Sequence, residues 1–288
     1  MLDTQPWEPC MTLAEPVATD ALSRLRAAKA FVFDMDGVLY VGTRALPGVQ
    51  VLFDALALRD RRIMLATNNS MATPELYVDK LAAMGVRVAP EEILTSAIAT
   101  RDYLLKTLPP GSGLFVIGMP ALREQLFADV PFHPVQYGEE APTALVVGLD
   151  RAFTYDKLVA ATAAVRAGAR FIATNADATL PTENGLIPGA GSIVAAIRVA
   201  SGVEPTVIGK PETPLLEMAL ARMAVEPLDA VMVGDRLDTD ILAGNRAGML
   251  TALVLTGVST RAEIAASAVK PDIVADDLPS LAAAIASV

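Results

Sequence analysis

Four short apolar runs in this chain each break off directly into polar residues, and this pattern constrains the fold more than any other feature. Phe31-Val32-Phe33 is followed by Asp34, and Ile63-Met64-Leu65-Ala66 by Thr67-Asn68-Asn69-Ser70. Thr206-Val207-Ile208 is followed by Gly209-Lys210, and Ala230-Val231-Met232-Val233 by Gly234-Asp235. Runs of this length with no polar face read as strands buried on both sides. Ala252-Leu253-Val254-Leu255 and Asp272-Ile273-Val274 bring the candidate strands to six. Helix-like segments lie between them, such as Pro214 to Met223, where Leu215, Leu216, Met218, Ala219 and Met223 fall at helical spacing. A single polar strand end is unremarkable. Four with complementary chemistry point to one shared site, because ligands of open α/β sheets bind at the carboxyl ends of the strands.

The alternation predicts an α/β fold: a Rossmann-like, mostly parallel sheet with helices on its faces. Thr67 follows Asp34 by 33 residues, about one βαβ unit, and Asp235 follows Lys210 by 25. Lys210, however, follows Thr67 by 143 residues, far more than a crossover uses. An inserted α/β cap domain is therefore expected over about 109–204, with the core over 25–108 and 205–288. Within the insert, Leu114 to Ile117, Ala144 to Leu149 and Arg170 to Thr174 read as strands, and Tyr155 to Ala167 and Ser192 to Ser201 as helices. Glu183-Asn184-Gly185 reads as a tight hairpin turn. Residues 1–24 read as a loose arm, broken up by Pro6, Pro9 and Pro16, with no docking place indicated for Trp7.

Composition excludes several classes. Acidic residues outnumber basic ones 33 to 23, so the basic footprint of a nucleic-acid binder is missing. A small anionic substrate stays compatible, because local cations and a metal override the global field. No apolar stretch reaches the roughly 18 residues of a membrane span, and the first twenty residues lack the basic start and apolar run of a signal peptide. The single Cys10 cannot form an internal disulfide, which fits a reducing cytoplasm. The single His133 rules out a histidine-rich zinc site and reads as a surface-loop residue.

The stretch Asp34-Met35-Asp36-Gly37 carries most chemistry. A carboxylate at a strand end serves as nucleophile or metal ligand, and a second one two residues later serves as an acid/base. A calcium loop fails here, because its required Gly and Glu positions hold Leu39 and Ala45. Gly209-Lys210-Pro211 is not a nucleotide P-loop, since Pro211 stands where the hydroxyl residue belongs. Lys210 reads instead as a fixed positive charge facing carboxylates. Gly234-Asp235-Arg236-Leu237-Asp238-Thr239-Asp240 adds three more acids. So many anions at one sheet edge need a cation among them, and an oxygen-only ligand set favours Mg²⁺. Asp238 or Thr239 is expected to cap the helix Ile241 to Ala247.

These four clusters, in this order, resemble the motifs of the haloacid dehalogenase superfamily of phosphohydrolases. The long insert resembles the large α/β cap of its NagD-like branch, which includes nitrophenyl-phosphatase, phosphoglycolate phosphatase and pyridoxal phosphatase types. Thr174-Asn175-Ala176-Asp177, Leu180-Pro181 and Leu255-Thr256-Gly257-Val258-Ser259-Thr260 resemble that branch too. The resemblance spans about residues 28 to 280. It implies that Asp34 is a nucleophile forming an aspartyl-phosphate and that Asp36 protonates the leaving oxygen, then activates water. It implies that Thr67, Asn68 and Asn69 hold the phosphoryl group and that Lys210 neutralises it. Mg²⁺ would be held by Asp34, the backbone carbonyl of Asp36 and Asp235, with Asp240 in support. Halide release is not expected, since it needs neither Mg²⁺ nor an acid at Asp36. In the cap, Asn175 and Asp177 are candidates for choosing the substrate, against a purely structural turn. Gly189-Ala190-Gly191-Ser192 is either an anion-binding helix start or only a tight turn into the helix. The expected partner is a small phosphorylated metabolite, not a nucleic acid or a membrane, with homodimerisation through the cap as implied for this branch. A phosphotransferase or phosphomutase using the same intermediate, and a non-catalytic phospholigand-binding protein, are the competing readings.

Overall fold

The computed structural model describes residues 19–136, 138, 140–182 and 185–286. Its first sheet has six parallel strands in the order Ile273–Ala275, Leu250–Val254, Ala230–Gly234, Ala30–Phe33, Arg62–Thr67 and Ile93–Thr95. The period of two along each strand sorts its side chains onto two faces. Ala30 and Val32 join Met64, Ala66, Met232 and the helix Pro214–Met223 on one side. Phe31 and Phe33 join Leu65, Val231, Val233 and the helices Val49–Ala57 and Leu278–Ala286 on the other. Ala30–Phe33 is buried throughout, as a central strand covered on both faces must be.

The second sheet also contains only parallel pairs, in the order Thr206–Val207, Arg170–Ala173, Ala144–Val147, Gly113–Ile117 and His133–Pro134. The helices Tyr155–Arg166 and Ala190–Ser201 cover one face over Phe115, Ile117, Leu145, Val147 and Phe171. Its other face, with Leu114, Val116, Val146 and Ile172, belongs to the same apolar cluster as Val32, Ala66 and Met232 of the first sheet. The two sheets thus share a continuous core. Among the described residues no helix is long and apolar enough to cross a membrane.

Three readings of the sequence change. Thr206–Val207, expected beside the core strands, pairs instead with Arg170–Ala173 at the edge of the second sheet. The sixth place in the first sheet goes to Ile93–Thr95, a three-residue run too short to stand out by periodicity. Residues 19–24, grouped with the arm, begin the helix Thr19–Ala27, which seats Leu25 at full burial. Trp7 and Cys10 lie outside the described residues, as do Glu183 and Asn184 of the expected turn. The hairpin flanking them is present, with Thr179–Thr182 antiparallel to Gly185–Pro188.

Candidate active site

The strand Ala30–Phe33 sits at the centre of its sheet, and the chain is wound outward from it in both directions. Its carboxyl end is therefore the topological switch point, where neighbouring loops diverge and leave a crevice. Asp34 stands there, and its N–H donates to Val233 O at 2.8 Å. A cavity of ≈ 400 Å³ opens over it, within the usual range for a small-molecule site.

Lys210 is 2% exposed, and its ammonium donates to Asp34 Oδ1 at 2.6 Å and Ala66 O at 3.0 Å. It also pairs with Asp240 Oδ1 at 2.8 Å. Three N–H donors thus meet three acceptors. Burial opposes the charge, but the Asp240 and Asp34 carboxylates outweigh it and raise the lysine pKa. Asp34 is pushed up to about 6 by burial, against the pull of Lys210. Asp235 is pushed up to about 7 by burial, then by the nearby Asp240 and Asp34 charges.

Carboxylate oxygens of Asp34, Asp235 and Asp240 lie within 4.8 Å of one another. Not all are free. Asp240 Oδ1 is spent on Lys210, and its Oδ2 accepts from the N–H groups of Asp235 and Arg236. Asp235 Oδ2 accepts from Val258 N–H at 2.8 Å, whereas its buried Oδ1 has no hydrogen-bond partner. An orphaned buried carboxylate oxygen is costly unless something binds it. A hard divalent cation would satisfy it, so Asp235 and Asp34 offer an oxygen donor set that fits Mg²⁺. Gly37 makes room: its φ is +83°, and a Cβ there would lie 2.5 Å from Asp235 Oδ2.

Asp36 lines the same cavity from the next turn of the loop, but its carboxylate lies outside the three-acid group. Burial raises its pKa, and Lys80 opposes that. Lys80 itself sits 3.7 Å from the ring centroid of Tyr40, which lines the cavity beside Asp36. Thr67 Oγ1 accepts from Asn69 N–H, and Asn69 Oδ1 accepts from Met71 N–H. The Thr67 and Asn69 side chains also hydrogen-bond the buried Tyr77 hydroxyl, which stands with them at the cavity wall.

Asn68 stands differently. Its Nδ2 donates to Lys210 O at 2.8 Å and to Asp177, and its Oδ1 accepts from Lys210 N–H at 2.8 Å. Both ends of the amide are occupied, so its side chain braces Lys210 and is not free to hold a phosphoryl oxygen. Asn175 forms the local turn considered from sequence, its Oδ1 accepting from Asp177 N–H. Its Nδ2 reaches across to Asn68 O at 2.8 Å. At Gly189-Ala190-Gly191-Ser192, the N–H groups of Gly189, Gly191 and Ser192 are all taken by backbone carbonyls. This is the tight-turn alternative. Asp238 and Thr239 do not cap the following helix. The chain enters it through a wide π-type turn over Leu237–Ile241, and Asp238 pairs with Arg236 instead. That turn carries Asp240 back under Lys210. His133 is exposed beside Glu140, outside the cavity.

Tyr40, Tyr77 and Arg236 also line the cavity. Sequence reasoning gave the tyrosines no role, because a lone aromatic, whether in the short strand Tyr40–Val41 or in the helix Pro74–Ala83, carries no motif. It took Arg236 only as part of the acidic stretch.

Comparison with known proteins adds to this geometry. A family model for haloacid dehalogenase-like hydrolases matches residues 31–129, and one described as HAD-hydrolase-like matches residues 207–281. An acid sugar phosphatase of Staphylococcus aureus is 39% identical over 247 residues, covering 86% of this chain and 94% of that protein. A 4-nitrophenylphosphatase from Thermotoga maritima has a similar structure, with a TM-score of 0.84 at 35% identity over 91% of this chain and 99% of that one. A glycerol phosphate phosphatase from Mycobacterium tuberculosis, solved in complex with magnesium, gives a TM-score of 0.81 at 35% identity, covering 90% and 77%. The chain belongs to the haloacid dehalogenase-like hydrolases, in their NagD-type phosphatase branch. It is a hydrolase acting on phosphoric monoesters.

Proposed function

We propose that this protein is a Mg²⁺-dependent phosphatase that cleaves a small phosphomonoester through an aspartyl-phosphate on Asp34. The observation that carries this reading is the fully paired Lys210 ammonium between Asp34 and Asp240, beside the unpartnered Asp235 Oδ1. Bound at Asp34 and Asp235, with the Asp36 backbone carbonyl as a further ligand, Mg²⁺ would supply charge neutralisation for the phosphoryl oxygens. The Thr67 hydroxyl and Asn69 amide orient the phosphoryl group, and Lys210 offsets its charge. An Asp34 oxygen forms a bond to phosphorus as the ester P–O bond breaks, and Asp36 gives its proton to the departing oxygen. Asp36 then takes a proton from the water that attacks phosphorus, releasing phosphate and restoring Asp34.

Residues of about 109–204 serve as the cap that encloses the leaving group and excludes water. On that side the cavity is lined by Leu149, Leu180, Asp177 and Thr179, with Met71 and Val258 across from them. Apolar flanks with a few polar groups, and relatives named for sugar and glycerol phosphates, support a small polyol or sugar phosphate. The test is phosphate release from a panel of metabolite esters by the purified protein with Mg²⁺. Turnover that EDTA abolishes and Mg²⁺ restores is the expected result. Full turnover by a metal-free preparation, or none on any ester, overturns the reading.

A further inference from the structure

Lys210 is built on the second sheet, not the first. The strand Thr206–Val207 pairs with Arg170–Ala173, and the pairing continues past it: Ile208 N–H donates to Ala173 O at 3.0 Å and Gly209 N–H to Thr174 O at 2.9 Å. On its other side, the backbone of Lys210 is held by both ends of the Asn68 amide. The two contacts are closely packed. A Cβ on Gly209 would lie 2.6 Å from Asn68 Oδ1 and 2.8 Å from Thr174 O. Asn68 is in turn fixed at its carbonyl by Ser96 from the core and Asn175 from the cap.

One partner of Asn68 is a cap carboxylate, whose pKa burial raises against the pull of the Asn68 hydrogen bond. Its Nδ2 has two protons: one goes to Lys210 O, and the other is shared between Asp177 Oδ1 at 3.1 Å and Oδ2 at 3.2 Å. An acceptor at that place fixes the amide with Nδ2 toward Lys210 O and Oδ1 toward Lys210 N–H. We propose that Asp177 is a positioning residue for the reaction: acting through the Asn68 amide, this cap carboxylate fixes the backbone of Lys210 and so aims its ammonium. The inference rests on the phosphatase reading for the role of Lys210. It differs from a substrate-choosing role for Asp177, because a group that acts on the lysine affects the phosphoryl end shared by every ester.

The test uses the full chain with Mg²⁺. Asp177→Ala should lower kcat/KM about tenfold, by roughly equal factors on nitrophenyl phosphate and glycerol phosphate. It should weaken orthophosphate binding, read by calorimetry, by a similar factor. Asp177→Asn keeps one acceptor oxygen for Asn68 Nδ2 and should restore both values to within about threefold of wild type. In an Asn68→Ala background, Asp177→Ala should add less than about a twofold further loss, as expected of residues acting in series. If Asp177→Ala does not fold, Asp177→Ser, too short to reach Asn68, takes its place. Unchanged kcat/KM and phosphate affinity, a loss that differs tenfold between the esters, failure of Asp177→Asn to rescue, or full additivity with Asn68→Ala each overturns the proposal. Orthophosphate binding reads out Lys210 without turnover, so absence of wild-type activity on the panel would sink the phosphatase reading separately.

Discussion

The Lys210 ammonium lies 2.6 Å from Asp34 Oδ1, although the two residues are anchored in different sheets. Asp34 ends the central strand of the first sheet, and Lys210 follows the edge strand of the second. The ion pair therefore closes the site across the two layers. It is buried on the lysine side, and Asp240 shares the same cation at 2.8 Å.

Removing that cation should be expensive. Lys210→Met leaves Asp34 and Asp240 facing each other without compensation, and breaking a buried pair in this way costs about 3–5 kcal/mol. The expected result is a marked drop in melting temperature together with loss of turnover. A variant that melts like wild type would show that the pair contributes little to stability.

The metal-free protein should respond to pH with a definite sign. Burial holds Asp34 at about 6 and Asp235 at about 7, against the ordinary value of 3.8. Between the ordinary and raised values, the folded chain keeps protons that the unfolded chain has released. The contribution of these two groups to stability therefore falls as pH rises through about 4 to 7. A divalent cation needs the ionised carboxylates, so its stabilising effect grows over the same window. Melting curves with EDTA and with Mg²⁺ should lie further apart at about pH 8 than at about pH 5.5. Equal separation at both would count against these carboxylates as the metal site.

Gly37 should be intolerant of any side chain. An alanine there meets Asp235 Oδ2 at 2.5 Å and must also hold a φ of +83°. The backbone strain alone costs about 1–2 kcal/mol. Gly37→Ala should fold with reduced stability and bind Mg²⁺ more weakly, as titration calorimetry would detect. Wild-type Mg²⁺ affinity in this variant would refute the close approach.

The two carboxylates of the nucleophile loop should separate kinetically. Asp34→Asn should form no covalent intermediate. Asp36→Asn removes a proton donor, a loss of about 10²–10⁴-fold that should be larger for an alkyl phosphate than for nitrophenyl phosphate, whose leaving group departs unprotonated. Rapid quenching should still trap phosphate on Asp34 in the Asp36 variant. Trapped phosphate in the Asp34 variant would assign the nucleophile elsewhere.

The sequence by itself determined the class of fold and the location of the chemistry. Uninterrupted apolar runs such as Ala30–Phe33 have no polar face to expose, so they must lie inside a covered parallel sheet, with Asp34, Thr67 and Asp235 brought together at its edge. The long gap before Lys210 likewise demanded an insertion. Only tertiary structure decided which sheet a short strand joins. Thr206–Val207 and Ile93–Thr95 are too brief for their own pattern to choose partners, and the available backbone donors and acceptors chose for them. Tertiary structure also decided which partners the polar groups take. Asn68 and Asn69 are neighbours of the same type, yet both ends of the Asn68 side chain are occupied by Lys210 and Asp177, while the Asn69 side chain binds Met71 N–H and the Tyr77 hydroxyl at the cavity wall. Hydrogen-bond saturation depends on residues more than a hundred positions away, and no local pattern encodes it.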